Sequence, residues 1–366
     1  MRRQMVANIQ ILRGVAASLV VWYHMQAMLN TSFGTGFDSK LGAIGVDLFF
    51  VISGFIMFYI GHSTPARIPH FLVNRFFRIV PLYWLATMAL VVVFLAGFNP
   101  NGLNILTPQI VLESLFFIPS EFENGRHDLA LSLGWTLMYE LFFFTLFAIS
   151  FFMRSRLRSF VFVAAVLMLT SFIGTQVEGL SYLQMYYLAP ITIEFLFGAV
   201  LGLTYQHLGL KTKRLTLMAG VACLALATVM LVVVFQAGWV DLGKFGLRFL
   251  TYGVPSFFIV LGFLLLEKAN YRIASGPLIK WGDISYSLYL FHPMALQGAV
   301  KAVAVVAPIN AFGTGTAALF AFAVSIFVAW LIYELIETRI VAYGKSVSKH
   351  VLPKSPAPIE AGANPE

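Results

Sequence analysis

Ten runs of about twenty mostly apolar residues, set apart by short polar clusters, leave this chain essentially one kind of fold. They lie near 9–29, 41–61, 80–98, 132–152, 158–176, 186–206, 215–236, 247–266, 284–306 and 313–337. A helix of that length crosses the hydrocarbon core of a bilayer and satisfies its own backbone hydrogen bonds there. Only 11% of the residues are charged, against about 25% in soluble domains, so too little polar surface exists to cover a water-soluble fold. The expected architecture is an all-α, polytopic transmembrane bundle of about ten spans over residues 1–341. Residues 342–366, ending in "PKSPAPIEAGANPE", are expected to form a short disordered tail. The run 105–118, "ILTPQIVLESLFFI", is too short and too interrupted by Pro108 and Glu113 to span; it reads as interfacial or re-entrant. No cleavable signal is expected, because the first run holds Arg13 and His24 and lacks a small-residue cleavage site.

The net charge of +8 does not point to nucleic acid, since the basic residues cluster between apolar runs. Nineteen of the 24 fall on one side: Arg2, Arg3, Arg13, Arg67, Arg75, Arg78, Arg154, Arg156, Arg158, Lys211, Lys213, Arg214, Lys268, Arg272, Lys280, Arg339, Lys345, Lys349 and Lys354. Lys40, Arg126, Lys244, Arg248 and Lys301 fall on the other. Positive residues stay inside, so both termini are expected in the cytoplasm. The single cysteine, Cys223, rules out an intrachain disulfide and reads as apolar filler.

Ionisable residues within spans are costly and face the bundle interior or a water-filled cavity. Here they are Arg13, His24, Asp47, Glu140, Glu194, Asp283, His292 and Glu334. In "LRGVAASLVVWYH", Arg13 and His24 stand eleven residues apart, almost three helical turns, so they share a face about 16 Å apart. Small residues between them admit a neighbouring helix or a slender ligand. Alternatively Arg13 reaches lipid phosphates, and His24 caps the outer interface beside Trp22 and Tyr23.

The second span, "GAIGVDLFFVISGFIMFYI", brings Asp47 near the depth of His24, to orient an imidazole or to cap a helix. Gly42, Gly45 and Gly54 permit close helix contact, or a break at Gly45. In "HFLVNRFFRIVPLYWL", Arg75 and Arg78 form an i, i+3 pair suited to phosphates, or an ordinary topology signal. "LGWTLMYELFFFTLF" places Glu140 inside the fourth span with Trp135 and Thr136 one turn above. A carboxylate there must be paired or protonated. "WGDISYSLYLFHPM" aligns Ser285, Tyr289 and His292 on one face ahead of a kink at Pro293; a structural hydrogen bond is the plainer role for His292. No cluster has metal-ligand spacing, and no metal is expected.

In this order, Arg13–ten residues–His24, "GVDLFFVISGF", "RFFRIVPLYW", "WTLMYE" and "SYSLYLFH" resemble the acyltransferase-3 family of integral membrane acyltransferases. The resemblance covers about residues 8 to 340. "WTLMYELFFF" and the short tail look most like the exopolysaccharide (succinoglycan) O-acetyltransferase branch. The resemblance implies an enzyme of a bacterial inner membrane that moves an acyl group, often acetyl, from cytoplasmic acyl-CoA to a sugar hydroxyl. It implies no permanently bound cofactor, and as partners a glycan or lipid-linked saccharide acceptor, membrane lipids and polysaccharide-assembly proteins. Arg13 and His24 carry over from the Arg–ten–His motif, and Arg75 and Arg78 from arginines that engage CoA. In that frame His24 is a general base or a transient acyl carrier, with Asp47 or Glu140 stabilising its imidazolium. Trp135, Ser285, Tyr289 and His292 would line the acceptor. Two other classes remain open at this point: a transporter using the same residues as a relay, and a scaffold whose polar residues only pack the bundle.

Overall fold

The computed structural model describes residues 6–36, 39–61, 63–99, 105–122, 125, 127–153, 155–239, 246–273, 275–306 and 313–350. Among them run α1 (Ala7–Phe33), α2 (Ile44–Ile60), α3 (Ile68–Leu95), α4 (Pro108–Leu115), α5 (Gly134–Ile149), α6 (Arg156–Gln176) and α7 (Tyr182–Tyr187). There follow α8 (Ile193–Thr204), α9 (Lys213–Gln236), α10 (Val254–Lys268), α11 (Gly276–Asp283), α12 (Ser285–Val306), α13 (Gly313–Ile332) and α14 (Thr338–His350). The strands described are β1 (Ser120–Glu121) and β2 (His127–Asp128), an antiparallel pair with Ser120 opposite Asp128. Among the described residues eight helical stretches are long and apolar enough to cross a membrane. The 27-residue α1 and the 22-residue α12 match them in length and carry the polar residues of the site. The fold is the expected polytopic helical bundle. Its outer faces, such as Val161, Met168 and Phe172 on α6 and Met218 and Val229 on α9, expose large apolar side chains that lipid would cover.

Local chemistry sets the boundaries. Thr107, Ser155 and Thr212 each accept a backbone N–H of the first turn of α4, α6 and α9, and Ser181 and Gln184 cap α7 reciprocally. Gly34, in the left-handed region at φ 62°, ends α1 by donating to Asn30 O. The expected non-spanning run 105–118 holds only the eight-residue α4. Its terminal carbonyls are satisfied from α3, Tyr83 Oη donating to Ser114 O and Trp84 Nε1 to Leu115 O.

One boundary differs from expectation. Helix continues through His350, past residue 341 where a disordered tail was expected to begin. The reason is an amphipathic face that packs on α3: Gly344 against Phe77, the Tyr343 ring edge-on to Phe77, and Ser348 accepting from Asn74 Nδ2. Residues 351–366 lie outside the described part, as do Arg2, Arg3, Arg126, Arg154, Lys244 and Lys354.

Small residues set the helix spacing. α2 is continuous from Ile44, so Gly45 does not break it; a Cβ at Gly45 would overlap Ala16 O of α1, and one at Gly42 would overlap Leu19 O. Against α8, a Cβ at Gly54 would overlap Phe195 O and one at Gly198 would overlap Val51 O. These neighbours are backbone and have no rotamer to move into. Gly198→Ala is therefore expected to destabilise the bundle by about 3 kcal/mol or more. Thermal unfolding in detergent checks this, and an unchanged midpoint would show that α2 and α8 can part without cost.

Candidate active site

A cavity of about 370 Å³ lies among α1, α2, α3, α5 and α12, within the range of small-ligand sites. α1 contributes Gln10 and Arg13, and α2 contributes the stripe Val46, Phe49, Phe50, Ser53, Ile56 and Met57. α3 brings Arg75 and Arg78, α5 brings Thr136 and Glu140, and α12 brings Ser285, Tyr286 and Tyr289. Helical spacing explains the stripe, since those α2 positions recur every three to four residues on one face.

Three guanidinium groups converge on this cavity, each held differently. Arg78 is paired with Glu337, Nη1 to Oε1 at 2.6 Å, and Ser287 Oγ donates to the second oxygen at 2.6 Å. A π-helical turn, Tyr333–Glu337, delivers that buried carboxylate. Arg13 donates to Gln10 Oε1 at 3.2 Å, and Gln10 Nε2 donates to Asp283 Oδ1 at 2.6 Å. Arg75 lies over the rings of Phe71 and Phe144, 5.4 and 5.1 Å from their centroids, with Nε buried and unbonded. The Glu140 charge faces Arg13 and Arg75, and its Oε1 accepts from Ser53 Oγ at 2.7 Å. The arginine end is thus a preformed anion site in which Arg75 has no hydrogen-bonded partner among the described residues.

Hydroxyls line the cavity as well, Tyr286 against Arg78 and Tyr289 one turn farther along α12. Tyr289 Oη and Thr136 Oγ1 share a hydrogen bond of 2.8 Å, and Tyr286 Oη donates to Ile79 O. Ser285 Oγ is buried with no hydrogen-bond partner among the described residues. Behind Tyr289 stand two histidines that do not line the cavity themselves. The His292 ring lies 6.3 Å from the Tyr289 ring and 5.0 Å from the His24 ring. His24 Nδ1 is 3.2 Å from His292 Nε2 and 3.0 Å from Val20 O. His24 is half-buried, and no described residue bonds its Nε2.

The structure thus gathers Arg13, Arg75, Arg78, Glu140, Ser285 and Tyr289 around one space and sets His24 and His292 against each other. Five expectations need correction, the first being that His292 lines the acceptor, since it lies outside the cavity. Asp47 does not approach an imidazole, nor does it cap α2. It is fully buried in a bidentate pair with Arg248, Nε to Oδ1 at 2.9 Å and Nη2 to Oδ2 at 2.7 Å. One residue past Val46, it turns away from the cavity stripe toward Arg248 and the neighbouring buried Glu194 carboxyl. Glu140 likewise reaches no histidine; its hydrogen-bond partner is Ser53, with the charges of Arg13 and Arg75 nearby. Trp135 does not line the cavity but packs edge-on to Phe50 and Tyr139, while its neighbour Thr136 does line it. Finally, the small residues of α1 do not line a ligand path. Trp281 covers Gly14 and donates to Ser18 Oγ at 3.1 Å, and Ala16 and Ala17 are buried against protein.

Glu337, Gln10, Ser53 and Arg248 escaped the sequence reading. Gln10 carried a usable signal, being three residues before Arg13 on the same face. Glu334, which the sequence singled out, pairs instead with Lys280.

The sequence pattern of the acyltransferase domain of the acyltransferase-3 family matches residues 6–334. The exopolysaccharide production protein ExoZ of Rhizobium meliloti (strain 1021) is 37% identical over 272 residues, covering 73% of this chain and 81% of its own length. The peptidoglycan O-acetyltransferase OatA of Listeria monocytogenes is 31% identical over 121 residues, 32% of this chain and 18% of its own length. No solved structure matches the chain. These similarities decide for acyl transfer over transport and scaffolding, and they fit the arginine-lined cavity and its adjoining histidines. The chain is an integral membrane acyltransferase and belongs to the acyltransferase-3 family.

Proposed function

We propose that this chain transfers an acetyl group from acetyl-CoA, presented on the cytoplasmic side, to a sugar hydroxyl of an exopolysaccharide or a related lipid-linked saccharide in a bacterial plasma membrane. The observation that carries this reading is one cavity with three converging arginines at one part and Tyr289, backed by His24 and His292, at another. A nucleotide donor with several phosphates and a long arm ending in a thioester suits that polarity. Arg75 and Arg13 would take phosphate oxygens, charge-assisted bonds being the strong ones. Arg78 is already oriented by Glu337. The arm would then run along the Phe49–Ser53 face of α2 rather than along α1.

Beyond Tyr289, where the arm would leave the cavity, His24 Nε2 would take the proton of the acceptor hydroxyl as its oxygen attacks the thioester carbonyl. The C–S bond breaks on collapse, the thiolate of CoA leaves, and the proton on His24 Nε2 passes to it. The sugar ester and free CoA are the products.

Steady-state kinetics tests the donor half of this account. Arg75→Ala is expected to raise KM for acetyl-CoA about ten- to a hundredfold, the loss of one or two charge-assisted hydrogen bonds, with kcat little changed. KM for acetyl-pantetheine, which has no nucleotide phosphates, should stay at its wild-type value. Equal loss with both donors would contradict phosphate recognition by Arg75.

A further inference from the structure

The proposed reaction needs His24 to present a bare ring nitrogen, and the two histidines together show which one it is. Pro293 has no backbone N–H, so within α12 the carbonyl of Tyr289, four residues earlier, loses its helical donor. The His292 side chain takes that place. Its Nδ1 lies 2.8 Å from Tyr289 O and 3.1 Å from Leu288 O, and both partners are acceptors only. The proton of neutral His292 is therefore on Nδ1, and Nε2 is a lone pair. That lone pair faces His24 Nδ1 at 3.2 Å, which also lies 3.0 Å from Val20 O. Both neighbours of His24 Nδ1 accept, so His24 too carries its proton on Nδ1, and its lone pair is on Nε2.

We infer that His292 is a positioning residue that fixes the tautomer and tilt of His24, through a relay set up by the His292–Pro293 step in α12. The inference rests on His24 as the base of the proposed transfer. It replaces the acceptor-lining role expected for His292, which is only 1% exposed and lies outside the cavity. The proton balance is simple. Nε2 of His24 gains the hydroxyl proton, and Nδ1–H stays on His24 throughout. Its hydrogen bond to His292 Nε2 strengthens while the ring is charged. His292 neither gains nor loses a proton. Tyr23, edge-on to His24, and Tyr289, beside His292, are the other polar rings at the pair. Among the described residues no carboxylate makes an ion pair or hydrogen bond with either ring.

Two substitutions separate the halves of the His292 ring. Glutamine places its amide at the depth of Nε2 and can still accept from His24. Asparagine places its amide at the depth of Nδ1, can still donate to Tyr289 O, and falls short of His24. At matched levels of folded protein, His292→Gln is expected to keep kcat within about tenfold of wild type. His292→Asn should lose about a hundredfold in kcat, the scale of a general-base contribution, with KM for acetyl-CoA unchanged. Histidine ¹⁵N spectra of the full-length protein provide a readout independent of turnover: His24 should be the Nδ1–H tautomer in wild type and His292→Gln, and a mixture in His292→Asn. Equal kcat in the two variants, or an Nε2–H tautomer at His24 in wild type, overturns the inference. His24→Ala in the same assay separates this failure from that of the proposed function. If His24→Ala transfers normally, the base assignment falls, whereas the spectra still decide the tautomer.

Discussion

Replacing His24 with alanine is expected to lower acyl transfer about a hundred- to ten-thousandfold, the span usual for a lost general base, while KM for acetyl-CoA moves little. The separation of the two parameters follows from the layout. The arginines that would hold the donor line the cavity, whereas His24 lies behind Tyr289, against His292. His24 has a partner for Nδ1 and none among the described residues for Nε2, so its removal takes away a proton acceptor and leaves the donor's phosphate contacts in place. His24→Gln should fall almost as far, because an amide can fill the space and bond His292 but cannot accept a proton at pH 7. Initial rates over a range of acetyl-CoA concentrations, in membranes with equal amounts of each variant, give the comparison. A His24→Ala enzyme with wild-type kcat and raised KM would move His24 from the chemistry to the binding of the donor.

The second large effect concerns stability. Asp47→Ala leaves the Arg248 guanidinium, whose side chain is only 15% exposed, without its bidentate partner in the middle of a helix junction. Breaking a buried ion pair costs about 3–5 kcal/mol. The lower end is expected here, because Glu194 lies alongside and can move toward the freed cation. The pair also fastens two elements, since Arg248 Nη2 donates to Ala43 O, just before α2. The unfolding midpoint in detergent should fall, and Asp47→Ala combined with Arg248→Leu should recover part of the loss. Because Asp47 touches neither the cavity nor a histidine, the protein that remains folded should turn over at close to the wild-type kcat. A full drop in kcat without loss of stability would instead return Asp47 to the catalytic role first expected of it.

Span positions were legible in the sequence because the thickness of a bilayer dictates run length, and the runs here are set apart by polar or turn-forming residues. The rotation of each helix about its axis was not legible in the same way. Asp47 and Ser53 lie in one motif, yet Ser53 falls on the cavity stripe with Val46 and Phe49 while Asp47 turns toward Arg248, 201 residues away. No local pattern announces that partner. Glu337 was hidden for a different reason. The π-helical turn Tyr333–Glu337 takes more residues per turn than an α-helix, so a 3.6-residue count misplaces both glutamates in it. The α14 extension was obscured by low hydropathy, although its buried side, Gly344 and Ser348, follows helical spacing. By contrast, Arg13 and the two histidines were legible as costly groups within spans, and Arg75 and Arg78 as an i, i+3 pair suited to phosphates. The structure brings the three arginines to one cavity and sets the histidines against each other beside it.

The most direct test of the central claim uses the purified full-length protein in proteoliposomes, with acetyl-CoA labelled in the acetyl group and an exopolysaccharide oligosaccharide as acceptor. Label is counted in the saccharide after removal of the donor, and its release by mild base identifies an ester. Base-labile label in the saccharide that depends on His24 is the predicted result. Wild-type protein that leaves the saccharide unlabelled with acetyl-CoA and with every other short acyl-CoA, or His24→Ala that labels it at the wild-type rate, would contradict the account.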